Sequence, residues 1–153
     1  KAYIDIIDKF PQKLKEAVTG LTDEQLDTQY REGGWTIRQV VHHAADSHTN
    51  SYIRFKLTIT EDTPVIRPYD EAVWSELPEA KSAPIALSLQ YLELLHKKIV
   101  ETLRNITSAQ IERKYYHPEA KTEGTLGQLM GLYAWHCEHH LAHIVNLKKR
   151  MNW

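Results

Sequence analysis

The sequence predicts an all-α protein, a four-helix bundle with one long crossover between its second and third long helices. Three observations lead there. Four stretches place apolar residues three and four apart, the repeat that lines one face of a helix. Capping boxes stand where helices would begin: Thr22 with Gln25, Thr36 with Gln39, and Thr125 with Gln128. Alternating, strand-like patterning is almost absent.

The first helix is expected over about residues 2–19. Ile6, Phe10, Leu14 and Ala17/Val18 form its stripe, and Gly20 ends it. A short turn follows from Thr22 to Leu26, and Gly33-Gly34 breaks the chain. The second long helix opens at Thr36 and runs to about Thr60 on Ile37, Val40, Val41, Ala44, Tyr52, Phe55 and Ile59. Pro64, Pro68 and Pro78 interrupt regular structure over 61–82, with room for one helical turn around Asp70–Leu77. The third helix runs from about Pro84 to Arg104 with Ile85, Leu89, Leu92, Leu95/His96, Ile99 and Leu103 inward. Proline suits that start, because a first-turn amide has no partner there. The stretch 107–124 reads as irregular, with a short turn at 107–112. The fourth helix spans about Thr125–Arg150, and Lys148, Lys149 and Arg150 place positive charge at its C-terminal end.

A chain of 153 residues is read as one domain, 1–153, large enough to bury a core unaided. A net charge of -1 gives no electrostatic case for nucleic acid or an anionic membrane. No apolar run approaches the roughly 20 residues of a membrane span, and no signal-peptide pattern is visible. The single cysteine excludes an internal disulfide framework, so a cytoplasmic protein is the expectation. The chain begins with Lys1 rather than Met, which leaves its native N-terminus open.

The chemistry is carried by histidine. The chain has 9, most of them in two clusters, 42–48 and 136–143. His136 and His140 are four apart, so on a helix their imidazoles share a face one turn apart and can share a metal ion. A third histidine from elsewhere would complete a three-ligand site with one position open, the pattern of catalytic rather than structural metal centres. Helical phase supports this pair. Leu126, Leu129, Tyr133, Ile144, Leu147 and Met151 define the apolar stripe, with His140 inside it and His136 at its edge. The other pair, His139 and His143, points toward the polar flank. Phase is less helpful in the second helix. It puts His48 nearest the apolar centre, His43 toward an edge, and His42 outward beside Arg38 and Gln39. The zincin motif is absent, because Cys137 stands where that motif has glutamate. Cys137 reads as a small core residue, and Glu138 points away from His136.

Several segments together resemble the DinB/YfiT-like superfamily of four-helix-bundle metalloproteins, and its YfiT branch more closely. They are Gly33-Gly34-Trp35-Thr36-Ile37-Arg38-Gln39-Val40-Val41-His42-His43, Ala44-Ala45-Asp46-Ser47-His48, Arg54-Phe55-Lys56, Pro64 to Glu71, Trp74, Trp135-His136 and His139-His140-Leu141-Ala142-His143-Ile144. The resemblance implies one divalent metal ion, zinc or nickel foremost, held by one histidine of the second helix and two of the fourth. The second-helix ligand falls eight residues after the motif tryptophan Trp35, on His43. The fourth-helix ligands fall on His136 and His140. Here the resemblance overrides phase, and His48 becomes a pocket residue or one that orients a ligand. Asp46 is a second candidate for orienting a ligand imidazole through its free N–H.

The resemblance further implies an enzyme. Members of the branch include bacillithiol S-transferases, which join a low-molecular-weight thiol to an electrophile, and members labelled as metal-dependent hydrolases. A metal-activated thiolate and a metal-bound water are both compatible with three histidines and one open position. The absence of an evident general base tilts the reading toward thiol transfer. A non-catalytic, metal-stabilised binding bundle is the third possibility, and it requires the fourth position to be closed by protein. Trp35, Tyr69, Trp74 and Tyr133 are pocket candidates, and Arg54 and Arg67 are candidates for binding carboxylates of the thiol. Small-molecule substrates and a second copy of the chain are the expected partners.

Overall fold

The computed structural model describes residues 1–153. Four long helices form it: α1 (Ala2–Val18), α3 (Ile37–Thr60), α6 (Ile85–Arg104) and α8 (Leu126–Met151). Short helices lie between them: α2 (Asp23–Leu26), α4 (Glu71–Ser75), α5 (Pro78–Ser82) and α7 (Ser108–Ile111). β1 (Lys114–His117) and β2 (Thr122–Thr125) pair antiparallel, with Tyr115 opposite Gly124.

Going round the bundle, α1 packs on α8, α8 on α3, α3 on α6, and α6 back on α1. Two pairs that follow one another in sequence, α1 with α3 and α6 with α8, therefore lie on diagonals. Only α3 and α6 are both consecutive and adjacent. The core cluster fills the centre, with Phe10 and Leu14 of α1, Val40 and Phe55 of α3, Leu92 and Ile99 of α6, and Leu129 and Ile144 of α8. No helix is long and apolar enough to cross a membrane.

All three expected capping boxes form, with each threonine hydroxyl accepting from the glutamine amide three residues on and each glutamine side chain accepting in return. A fourth, Thr107 with Gln110, starts α7. The same four-residue pattern is present in the sequence but opens too short a run to announce a helix. Gly20 has φ +83° just beyond α1, a conformation glycine adopts without strain.

The region after α3 departs most from expectation. The crossover contains two short helices rather than one turn. Its Pro64–Ile66 segment runs beside β1, with Tyr116 N–H donating to the Pro64 carbonyl and Ile66 N–H to the Tyr116 carbonyl. The stretch read as irregular holds the hairpin. Its strands span four residues each, too few for alternation to register. The crossover then lies over α3. Gln39 donates to the Ser75 carbonyl, and Arg38 donates to the Ala83 carbonyl and to Asp23 and Asp27. As a result every residue from Ile37 to His48 except Asp46 is buried.

The Thr36 box sets where α3 begins. Thr36→Ala is expected to cost about 1 kcal/mol of stability, read as a lowered urea midpoint with an unchanged slope.

Candidate metal centre

α3 and α8 are neighbours, and their histidine clusters meet. The Nε2 atom of His136 lies 3.2 Å from Nε2 of His43 and 3.0 Å from Nε2 of His140. The ligand atoms of these three all lie within 4.8 Å of one another, and no other His, Cys, Asp or Glu joins the group. A tetrahedral ion bonded at about 2.0–2.1 Å holds its ligand atoms roughly 3.3 Å apart. The donor type, number and spacing therefore fit one metal ion with little rearrangement.

Burial also prepares these rings to bind metal. Removal from water disfavours the imidazolium, and the neighbouring histidines disfavour it further. His43 and His136 are each pushed down to about 3, and His140 to about 2. At neutral pH all three hold the neutral, lone-pair-bearing form that a metal requires.

His136 and His140 line an open pocket of about 360 Å³, and His43 lies buried beside them. Trp35 forms one wall, its ring centroid 4.5 Å from that of His43. Tyr30 stacks on His143 at 4.1 Å, and Trp135 stacks on His139 at 4.5 Å. His139 and His143 thus belong to the wall and not to the group of three. Nδ1 of His140 and Nδ1 of His143 are buried without a hydrogen-bond partner.

Four expectations are corrected. His42 does not face outward. It is 1% exposed, with Nδ1 2.6 Å from Ser88 Oγ and Nε2 2.9 Å from the Ala83 carbonyl. Phase misplaced it because the crossover and α6 cover the face of α3 that the pattern assigns to solvent. Asp46 does not orient a ligand ring, for its carboxylate makes no hydrogen bond to any imidazole. His48 occupies that place, with Nε2 3.1 Å from Nδ1 of His136. The Arg54 guanidinium is engaged within the protein rather than held free. Arg54 donates to Tyr133 Oη at 2.9 Å and to the Arg67 carbonyl at 3.1 Å. Tyr69 packs on Trp74, and neither lines the pocket. Cys137 is 1% exposed, and burial pushes its thiol up, which removes it as a nucleophile.

One residue was missed. Glu71 opens α4 and lines the same pocket, with Oε2 3.9 Å from Nε2 of His43 and its side chain 59% exposed. It lies 28 positions from His43 in sequence, across a proline-broken crossover, so no spacing rule connects the two. The only available hint was its place in the Pro64–Glu71 motif.

A bundle whose core ends in three converging imidazoles under an open pocket defines a class of helical metal-binding protein. Comparison with known proteins gives the family. The DinB superfamily model matches residues 6–144, and the chain belongs to that superfamily. It is 55% identical over 151 residues to YfiT of Bacillus subtilis (strain 168), covering 99% of this chain and 85% of that one. It is 51% identical to a relative from Oceanobacillus iheyensis, over 99% and 87% of the two chains. Both relatives are named, provisionally, as metal-dependent hydrolases. The solved structure of Bacillus subtilis YfiT, described as a four-helix bundle of unusual topology, superposes with a TM-score of 0.97 over 99% of this chain and 87% of that one.

Asp46 offers a test of the burial around the site. Burial first, and Glu79 second, raise its carboxyl to about 6. The folded state therefore holds a proton that the unfolded state has released, and stability falls as pH rises from about 4 to about 6. Asp46→Asn is expected to stabilise the protein above pH 6 by on the order of 1 kcal/mol, a figure already reduced because the group is half exposed. The gain disappears below pH 4, as thermal melts across that range will show.

Proposed function

We propose that this protein is a metal-dependent enzyme that joins a low-molecular-weight thiol to an electrophilic carbon, with His43, His136 and His140 holding one divalent ion. The observation that carries the reading is the convergence of three neutral imidazoles, two of them lining an open pocket, with no fourth His, Cys, Asp or Glu in the group. A stabilising bundle site would be closed. When bound, the ion would supply positive charge that favours the deprotonated form of a thiol or a water at neutral pH.

The residues of the chain account for the remaining work. Glu71 is placed to accept the thiol proton beside His43. Sulfur then forms its bond to the electrophilic carbon, the bond from carbon to the leaving group breaks with its electron pair, and Glu71 returns the proton to the leaving group. Tyr30, Trp35 and Trp135 give the pocket walls an apolar, aromatic surface that suits a hydrophobic electrophile.

Hydrolysis is the second reading. The same carboxylate is as well placed to take a proton from water, and the relatives carry hydrolase names. The base that the sequence did not reveal is thus available to either chemistry, and assay must choose between them.

Elemental analysis of protein purified without a histidine tag is expected to give near one metal per chain, and His140→Ala to lose most of it. Thiol conjugation to a chromogenic electrophile should be lost with the metal. Turnover of a chromogenic ester without added thiol, with no conjugation, would support hydrolysis instead. Glu71→Gln is expected to slow the reaction by roughly 10²–10⁴ at unchanged metal content.

A further inference from the structure

The site is connected to the far side of the bundle. Nδ1 of His136 lies 3.1 Å from Nε2 of His48. Nδ1 of His48 lies 2.7 Å from Nε2 of His96, and Nδ1 of His96 lies 2.6 Å from the carbonyl oxygen of Ile7. His48 and His96 are each 2% exposed. One member comes from each long helix: Ile7 from α1, His96 from α6, His48 from α3 and His136 from α8.

The direction of this chain is set at its end. A carbonyl oxygen only accepts, so His96 must carry its proton on Nδ1. A neutral His96 then presents a lone pair on Nε2, and His48 must donate to it from Nδ1. His48 in turn presents a lone pair on Nε2, and His136 must donate from Nδ1. What remains on His136 is a lone pair on Nε2, facing His43 and His140. Reversing any link would put a second proton on an imidazole sealed from water, at the desolvation cost of a buried cation.

The sequence explains why the Ile7 carbonyl is free. In a helix that oxygen would accept from the amide four residues on. That residue is Pro11, which lies inside α1 and has no N–H. Proline costs α1 a hydrogen bond, and His96 takes the vacated acceptor.

We propose that His48 and His96, anchored on the carbonyl that Pro11 leaves free, are positioning residues that fix the tautomer and ring plane of His136 and so present its Nε2 to the metal. The proposal rests on the metal reading for its purpose but not for its geometry. Conserving the acceptor matters more than conserving the ring, so a side chain that still accepts from His136 Nδ1–H should preserve most of the effect.

The test has two arms. In metal-free wild-type protein, long-range proton–nitrogen NMR of the imidazoles should show protons on Nδ1 of His96, His48 and His136. A proton on Nε2 of His136, or none on Nδ1 of His96, overturns the proposal whether or not the protein binds metal. In the second arm, zinc affinity is measured by competition with a chromophoric chelator for His48→Leu and His48→Gln, with folding checked by circular dichroism and thermal melting. His48→Leu is expected to bind zinc about 10–100-fold more weakly, and His48→Gln to recover most of that loss. Folded His48→Leu binding within twofold of wild type overturns it. If His48→Leu does not fold, the NMR arm decides alone. Wild-type protein that takes up no metal would refute the proposed function while leaving the tautomer measurement to judge the relay.

Discussion

An imidazole removed from water keeps two ring nitrogens, and a neutral ring has one to donate with and one to accept with. This bundle buries several, and the rest of the structure is arranged around answering them. His42 is answered by Ser88 and the Ala83 carbonyl. His48 and His96 answer each other and pass the demand on to α1 and α8. The Nε2 atoms of His43 and His140 each lie about 3 Å from Nε2 of His136, with Ser47 Oγ at 3.5 Å from His136 and Glu71 at 3.9 Å from His43 as the nearest other polar groups. Three lone pairs brought that close are most naturally reconciled by a cation. The candidate metal centre is thus a part of the polar network that the protein alone leaves unfinished, and burial around it disfavours finishing it with protons.

The topology serves the same end. Because α3 and α8 are neighbours while α1 and α8 also pack together, the site helices are braced from both sides by elements distant in sequence. The ring positions are set on long, capped helices, where backbone freedom is small. The mouth of the pocket is built differently, from the Gly33–Trp35 turn and the start of α4.

The sequence made legible whatever depended on local pattern. The four long helices, two of their caps and the pairing of His136 with His140 on one face could be read, the last because α8 keeps a solvent face, so its apolar stripe has an edge. α3 could not be read that way. Between Ile37 and His48 it has almost no exposed side, and a stripe cannot be located on a helix that is buried all round. Polar residues such as Arg38, Gln39 and His42 then look like a solvent face while being buried among specific partners. Choosing His43 over His48 therefore needed the resemblance, and the structure places both against His136, on its opposite nitrogens. Glu71 and the hairpin were out of reach for another reason: each depends on how the crossover returns over α3, which is a matter of tertiary contact rather than of spacing.

That division between imidazoles and mouth has a consequence for divergence. The three imidazoles are held by helices that share one core, so changes there propagate to the whole bundle. Glu71 and its neighbours sit on a segment tied down at separate points, at Tyr116, at Gln39 and at Arg38. Between those ties the chain can lengthen, shorten or change its side chains while the helices beneath keep their register. A lineage of such proteins can keep the three imidazoles intact and change the pocket above them by rewriting a crossover, so that nearly superposable bundles can carry different mouths.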